Sequence, residues 1–376
     1  MAGHLSEAGT RRDRRGAWVV GSMAVCAVGT LLVSGLVMAT SGASPGASSS
    51  TSTTEMAKVA PPTTEPGSAQ LLSTNDEAHA LAAVRPSLVA LTVDRPGGTT
   101  TATGIIAESG GVIVTTMAAV AGATSIHTEE SDGTREPVAM VGTDPTSGIA
   151  VMRVTTDLPV ADFDLADPVP GTTAMAVAVT DGARAPTPPA SVYAGTVQSS
   201  GTAVGADAPT SVFASTVVDT PLDSRDDGCA LVNDQGQVTG ILDTTETLGG
   251  GTVAVFLPAS LVLGVARQLV AGGSVERGWL GVEASDVAGA AAGGGAVVDV
   301  VDQDGPAAQA GLEVGDTIVA VEGEAVHSMA ELSTRLYADL PGTWLQVTFD
   351  RAGTERTAGV VLAAEGTDAS DVGGSP

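Results

Sequence analysis

Aromatic residues are nearly missing from this chain, at 2% of 376 residues, so any interior must be built from Val, Ala, Leu and Ile. Cysteine is scarcer still. Cys26 and Cys229 are the only two, and Cys26 stands inside an apolar run, so the chain carries no disulfide framework. Neither a CxxC pair nor an HExxH helix occurs, and the four histidines, His4, His79, His127 and His327, are scattered. No metal and no other cofactor is expected. Positive charge is in short supply too: 16 Lys and Arg stand against 43 Asp and Glu, a formal net charge of −27. Phosphates would be repelled rather than neutralised, which excludes nucleic acid as a partner. The single lysine, Lys58, and the abundance of Ala and Gly match the residue usage of a GC-rich bacterial genome.

One long hydrophobic run is present. "WVVGSMAVCAVGTLLVSGLVM", residues 18 to 38, is uncharged and long enough to cross a bilayer as a helix. Arg11, Arg12, Arg14 and Arg15 precede it, and the next basic residue is Lys58. The positive-inside rule then puts the N-terminus in the cytoplasm and the bulk of the chain outside it, with Trp18 as an interfacial anchor. "ATSGAS" just beyond offers small residues to a signal peptidase, but the run is longer than a signal-peptide core, which favours an uncleaved anchor. Residues 41 to about 74, rich in Ser, Thr, Pro and Gly, bury too little apolar surface to offset their ordering entropy and read as a flexible linker.

From Asn75 the texture changes. "DEAHALAAV" reads as a helical turn ended by Pro86, and "SLVALTV", "ATGIIA" and "GGVIVTT" as strands parted by Gly-rich turns. Short β runs continue to about residue 257, so the body is mainly β, and its length suits two barrels better than one. The order of the phrases goes further. "AAVRPSLVALTV", "TGIIAESGGVIVTT", "REPVAMVGTDPTSGIAVMRV", "CALVNDQGQVTGILDT" and "GTVAVFLPASLVLGVARQLVAGGSVERGWLGV" follow in register, and together they resemble the HtrA (DegP-type) family of trypsin-like serine proteases over roughly residues 76 to 365. The resemblance implies a chymotrypsin-like double β-barrel followed by an α+β PDZ domain.

Acyl transfer by such an enzyme needs an attacking serine, a histidine that takes its proton and an aspartate that orients the histidine. The family's histidine phrase, T-N-N-H-V-V, is matched by "TTMAAV", which puts Ala118 at the histidine. Its G-T-D-P-x-x-D-L-A-V phrase is matched by "GTDPTSGIAV", with Gly148 at the aspartate. Its N-P-G-N-S-G-G-P-L-V-N phrase is matched by "DSRDDGCALVN", with Asp227 at the serine. A methyl group accepts no proton, a glycine orients nothing, and a carboxylate is a poor nucleophile beside the place where oxyanion charge develops. Because triad members act as a unit, loss of one already removes most of the acceleration. The Asp227 carboxylate is expected to occupy the backbone donors of Arg225 to Asp227 that the family uses as its oxyanion hole. Cys229 has no base or cation placed to form a thiolate and reads as a small buried apolar residue; His127 lies on what reads as another strand, and Ser224 has no histidine.

"DQDGPAAQAGLEVGDTIVAVEGEAVHSMAELSTRL", 302 to 336, resembles the PDZ domains of the same family, and "GWLGV" stands where their carboxylate-binding loop lies. The resemblance assigns peptide binding to Gly278, Trp279, Leu280, Gly281 and Val282, with Leu280 shaping an apolar pocket. Ser328 is an N-cap for the following helix, with Glu331 completing a capping box, and His327 beside it reads as exposed and incidental.

The expected organisation is a cytoplasmic tail (1–16), a transmembrane helix (17–39), a linker (40–74), a trypsin-like double barrel (75–262), a connecting helix (263–276), a PDZ domain (277–365) and a disordered tail (366–376). The expected function is that of a membrane-anchored, catalytically inactive HtrA-like protease homologue. It would bind C-terminal or unfolded peptide segments through its PDZ domain in bacterial envelope quality control, as sensor, scaffold or chaperone-like factor. The alternatives are an active HtrA-like serine endopeptidase and an inactive partner subunit of an active protease, in a homo- or hetero-trimer.

Overall fold

The computed structural model describes residues 74–129, 135–179, 190–203, 213–223, 226–248, 251–287 and 294–364. The expected membrane helix and nearly all of the linker lie outside these residues, as do the C-terminal tail and positions 224 and 225. Among the described residues no helix is long and apolar enough to cross a membrane.

Helix α1 (Thr74–Val84) runs into a 3-10 turn, Arg85–Ser87, where Pro86 supplies a fixed φ. Strands β1 (Leu88–Arg95), β2 (Gly98–Glu108), β3 (Val112–Thr116), β4 (Ser125–Glu129), β5 (Arg135–Pro137), β6 (Ala139–Asp144) and β7 (Ile149–Arg153) follow. The one-turn helix α2 (Met117–Val120) sits between β3 and β4. These strands form a seven-stranded sheet in the order β5-β4-β1-β2-β3-β7-β6. Strand β3 is buried at all five positions, so its sequence shows no polar alternation and reads as a continuous apolar and Thr run.

A second unit is built from β8 (Thr173–Val179), β9 (Ala190–Thr202), β10 (Ser215–Asp219), β11 (Ala230–Val232), β12 (Val238–Leu248) and β13 (Gly251–Pro258). Their order, β10-β13-β12-β11-β8-β9, closes into a six-stranded barrel, which removes the free edges a sheet would expose. The first unit, among the described residues, keeps β5 and β6 as edges.

Helix α3 (Ala259–Gly272) begins four residues earlier than the sequence suggests. Strand β13 ends on Pro258, which serves directly as the N-cap, and Gly273 at φ 74° closes the helix. Residues Leu261, Val262, Val265, Ala266 and Leu269 are fully buried, because α3 packs against β6, β7 and β12 of the body and against a helix of the last domain.

That last domain comprises β14 (Gly278–Trp279), β15 (Val282–Asp286), β16 (Ala296–Val301), α4 (Pro306–Gln309), β17 (Thr317–Val321), β18 (Glu324–Ala325), α5 (Met329–Ala338), β19 (Trp344–Arg351), β20 (Thr354–Val361) and β21 (Ala363–Ala364). Its main sheet runs β15-β16-β17-β19-β20, with β18 paired to β17, and β14 pairs with β21. Strand β19 alternates, with Leu345, Val347 and Phe349 inside and Trp344 and Gln346 outside, as a sheet with one wet face requires. Its core gathers Leu280, Val298, Ile318, Leu332, Leu336, Val347 and Phe349.

Candidate functional site

The three positions matched to a catalytic triad lie in one cleft between the two β units. Strand β3 delivers Ala118 through Thr116, whose hydroxyl caps α2 by accepting the Ala119 N–H at 3.3 Å. Ala118 itself is exposed. The N–H of its neighbour Met117 donates to the Gly148 carbonyl at 2.7 Å, which joins the end of β3 to the turn before β7. Asp227 arrives from the barrel side. Its carbonyl accepts the Thr103 N–H at 3.1 Å, and the next residue, Gly228 (φ 75°), presses on the first sheet so closely that a Cβ there would stand 2.3 Å from Thr115 Oγ1. Only glycine fits both that backbone and that space.

The electrostatics of the cleft are those of carboxylates. Burial pushes the half-buried Asp227 above the usual carboxylate range; the Arg95 guanidinium pulls it partly back, and Asp226 and Asp223 push it up again. Arg95 is held beside α2 by the carbonyls of Ala121 and Ala119, each at 2.7 Å, and by the Thr100 hydroxyl. Asp226 is buried and accepts the Asp223 N–H at 3.0 Å, with the Tyr193 hydroxyl as a second donor.

The sequence reading missed one residue of this cleft. Asp243, on β12, is half-buried, and burial followed by repulsion from Glu246 raises its carboxyl. A Cβ added at Gly148 would stand 3.8 Å from Asp243 Oδ1. A carboxylate therefore lies where a side chain on Gly148 would point, supplied by the other β unit. The signal for it was an Asp among the apolar and Thr residues of "TGILDTT", a strand otherwise read only as packing.

The remaining candidates are separated from the cleft. His127 lies on β4, with β1 and β2 between it and β3, and its Nδ1 is 3.6 Å from Asp94 Oδ2. Cys229 is fully buried, and burial, with Asp226 and Asp227 nearby, pushes its thiol well up. Ser224 and Arg225 fall outside the described residues. Of the donors expected for the oxyanion hole, the Asp226 N–H is given to the Asp223 carbonyl at 2.9 Å rather than to the Asp227 carboxylate.

In the last domain the five expected peptide-binding residues form one continuous turn. Gly278 and Trp279 pair with Ala364 and Ala363, Leu280 is buried in the core, and Val282 opens β15. At Gly281 a Cβ would meet Gly305 Cα at 3.1 Å, so the turn packs directly on the start of α4. Among the described residues β15 is a sheet edge, paired with β16 alone, and α5 runs beside it. Ser328 caps α5 by accepting the Glu331 N–H at 3.1 Å. The Glu331 carboxylate reaches back to the His327 N–H at 2.8 Å, one residue before the cap, and also to His327 Nδ1 at 3.0 Å. His327 is exposed, as expected, yet it is bonded to a buried carboxylate rather than incidental.

Helix α5 is also the element that docks the domain onto the body. Ser328 Oγ donates to the Gly201 carbonyl at 2.7 Å, Thr334 Oγ1 accepts the Ala214 N–H at 2.8 Å, and Tyr337 OH donates to Asp144 Oδ2 at 2.6 Å. The Tyr337 ring meets Phe213 edge to face at 4.7 Å and lies under the Arg277 guanidinium.

This is the architecture of a trypsin-like peptidase body carrying a PDZ domain, and comparison with known proteins agrees. Residues 102–241 match the trypsin-like peptidase domain family and residues 278–362 the PDZ domain family. A probable periplasmic serine endoprotease, DegP-like, from Pseudomonas fulva is 32% identical over 280 residues, covering 71% of this chain and 57% of the relative. Its counterpart from Halomonas elongata is 30% identical over 284 residues, covering 72% and 58%. The chain thus spans little more than half the length of these relatives. The solved HtrA-type protease AlgW with a tripeptide superposes with a TM-score of 0.54 at 23% identity, covering 77% of this chain and 97% of that one, a likeness of fold. The chain belongs to the HtrA-type family of trypsin-like peptidases with a PDZ domain.

Proposed function

We propose that this protein is a catalytically silent HtrA-type homologue that binds the C-terminal segments of exported proteins through its PDZ domain. In this reading residues 17–39 anchor it in the bacterial cell membrane, and it serves envelope quality control as a sensor or chaperone-like factor. The observation that carries the reading is the pairing of two sites. The cleft holds Ala118, Gly148 and Asp227, and among the described residues no imidazole stands beside them to take a proton, while the edge strand β15, the 278–282 turn and α5 offer a peptide main-chain partners and an apolar floor. Asp243 returns a carboxylate to the cleft, but with Ala118 in place it has nothing to orient.

The test has two arms on the full-length protein in detergent. A serine-directed fluorophosphonate probe and a denatured casein substrate are expected to report neither labelling nor cleavage. Peptides with a free C-terminal carboxylate are expected to bind, and their amides to bind at least tenfold more weakly. Casein cleavage that disappears on Asp227→Ala would overturn the silent cleft. The names of the relatives, serine endoproteases, favour that second reading of an active endopeptidase.

A further inference from the structure

The groove between β15 and α5 has a charged end. Along β15, Val282 and Ala284 pack toward the domain core, and by strand alternation Asp286 falls on the same side, while Glu283 and Ser285 are exposed on the other. Asp286 is exposed, and its Oδ1 accepts the backbone N–H of Met329 at 2.7 Å, which fixes the carboxylate against the first turn of α5. The end at the 278–282 turn is apolar: Leu280 and Leu336 are buried, and Val282 is partly so.

A peptide added antiparallel to β15, with its carboxylate at the 278–282 turn, places its last residue opposite Val282. Side chains alternate with period two, so the third residue from the end stands opposite Ala284 and the fifth from the end opposite Asp286, all on the groove side. Two basic side chains of this domain are committed elsewhere. Arg335 Nη2 donates to the Ala325 carbonyl at 3.1 Å, and Arg351 is paired with Asp316 and Glu313.

We infer that Asp286 is a specificity-determining residue of this groove, selecting segments with Lys or Arg at the fifth position from the C-terminus behind an apolar last residue. The inference rests on the peptide-binding reading above. An opposite-charge cross-strand pair at an exposed site, with the positive end of α5 offsetting part of the carboxylate, gives a preference of about two- to fivefold.

The experiment is fluorescence anisotropy on the full-length protein in detergent, with labelled decapeptides that all end in Val and carry Lys, Ala or Glu at the fifth position from the end. A Lys peptide with an amidated C-terminus is the fourth probe. The expected order is Lys tighter than Ala and Ala tighter than Glu at low salt, with the differences shrinking at high salt. Asp286→Asn, which keeps an acceptor for the Met329 N–H, is expected to make the three peptides equal. Equal affinities in the native protein, or a Lys preference that persists in Asp286→Asn, overturn the role of Asp286 and leave the peptide groove standing. Binding by none of the acid peptides, or equal binding of the amide, overturns the peptide-binding reading and this inference with it.

Discussion

Glycine at position 148 and aspartate at position 243 are two halves of one local arrangement. Gly148 adopts φ 69°, and its missing side chain leaves room in front of Asp243. Gly148→Asp would put a second carboxylate against one that burial already holds above its usual range. Left-handed backbone costs a non-glycine residue about 1 kcal/mol, and like-charge repulsion adds to it. We therefore expect Gly148→Asp to lower the urea-unfolding free energy by about 1–3 kcal/mol, and Asp243→Asn to restore a good part of that loss in the double variant. If the two substitutions prove additive, Asp243 does not face position 148. The same scale carries a prediction for Cys229. Full burial and neighbouring carboxylates oppose the thiolate, so in a Cys26→Ser background the native protein should leave a thiol reagent such as Ellman's unreacted until denaturant is added. Rapid native labelling would contradict its burial.

Helix α5 serves two surfaces at once. Leu332 and Leu336 face the core of the PDZ domain, while Ser328, Glu331, Thr334 and Tyr337 are buried against the body. Tyr337 gives the clearest handle. Burial, then its bond to Asp144, raises its hydroxyl to about 12, so the group holds its proton more tightly folded than unfolded. That contribution is complete below pH 10 and is lost as the pH rises from about 10 towards about 12. Tyr337→Phe keeps the ring against Phe213 and removes only the donor. Asp144 still accepts the Ser147 N–H at 3.1 Å, so we expect a loss of about 1–2 kcal/mol in unfolding free energy, together with a shallower alkaline fall in Tm. An unchanged stability in the variant would remove the Tyr337–Asp144 bond from the account of docking.

Across the whole molecule, acidic charge sets the pH response. Asp227, Asp243 and Asp339 all have carboxyls raised first of all by burial. Groups shifted this way stabilise the fold when protonated and lose that contribution as the pH rises through their folded values, so stability should climb as the pH drops from neutral towards the ordinary carboxylate range. The net charge of −27 acts in the same direction, because self-repulsion eases as carboxylates protonate. Glu136 opposes the trend at lower pH. Burial works against its charged form, but bonds from Thr155 and Thr156 outweigh it and hold the carboxyl at about 2, so its contribution disappears as the pH falls from about 4.5 towards about 2. We expect Tm to rise between pH 8 and pH 5, and to rise less in Asp243→Asn. Identical slopes in the two proteins would show that Asp243 does not titrate differently on folding.

Much of this was legible one segment at a time. The strand runs, the turn at Pro86, the 278–282 loop and the Ser328 cap are each decided by backbone preference, side-chain period and capping chemistry within a few residues, and the folded chain keeps them. What escaped were the contacts between distant segments that the resemblance did not carry. Asp243 stands beside Gly148 because β12 and the turn before β7 come from different β units, and no local pattern encodes that approach. Ser328, Glu331, Thr334 and Tyr337 look like the wet face of an amphipathic helix, yet they are buried, because Gly201, Ala214 and Asp144 bring partners from the body. Helix α3 starts at Ala259 directly after β13, with the extended Pro258 at the N-cap position and no side-chain cap bond. Local chemistry settled which residues became strand, turn or cap. Close packing of segments far apart in the chain settled which of their polar groups met, since a buried polar group persists only where the fold happens to bring it a partner.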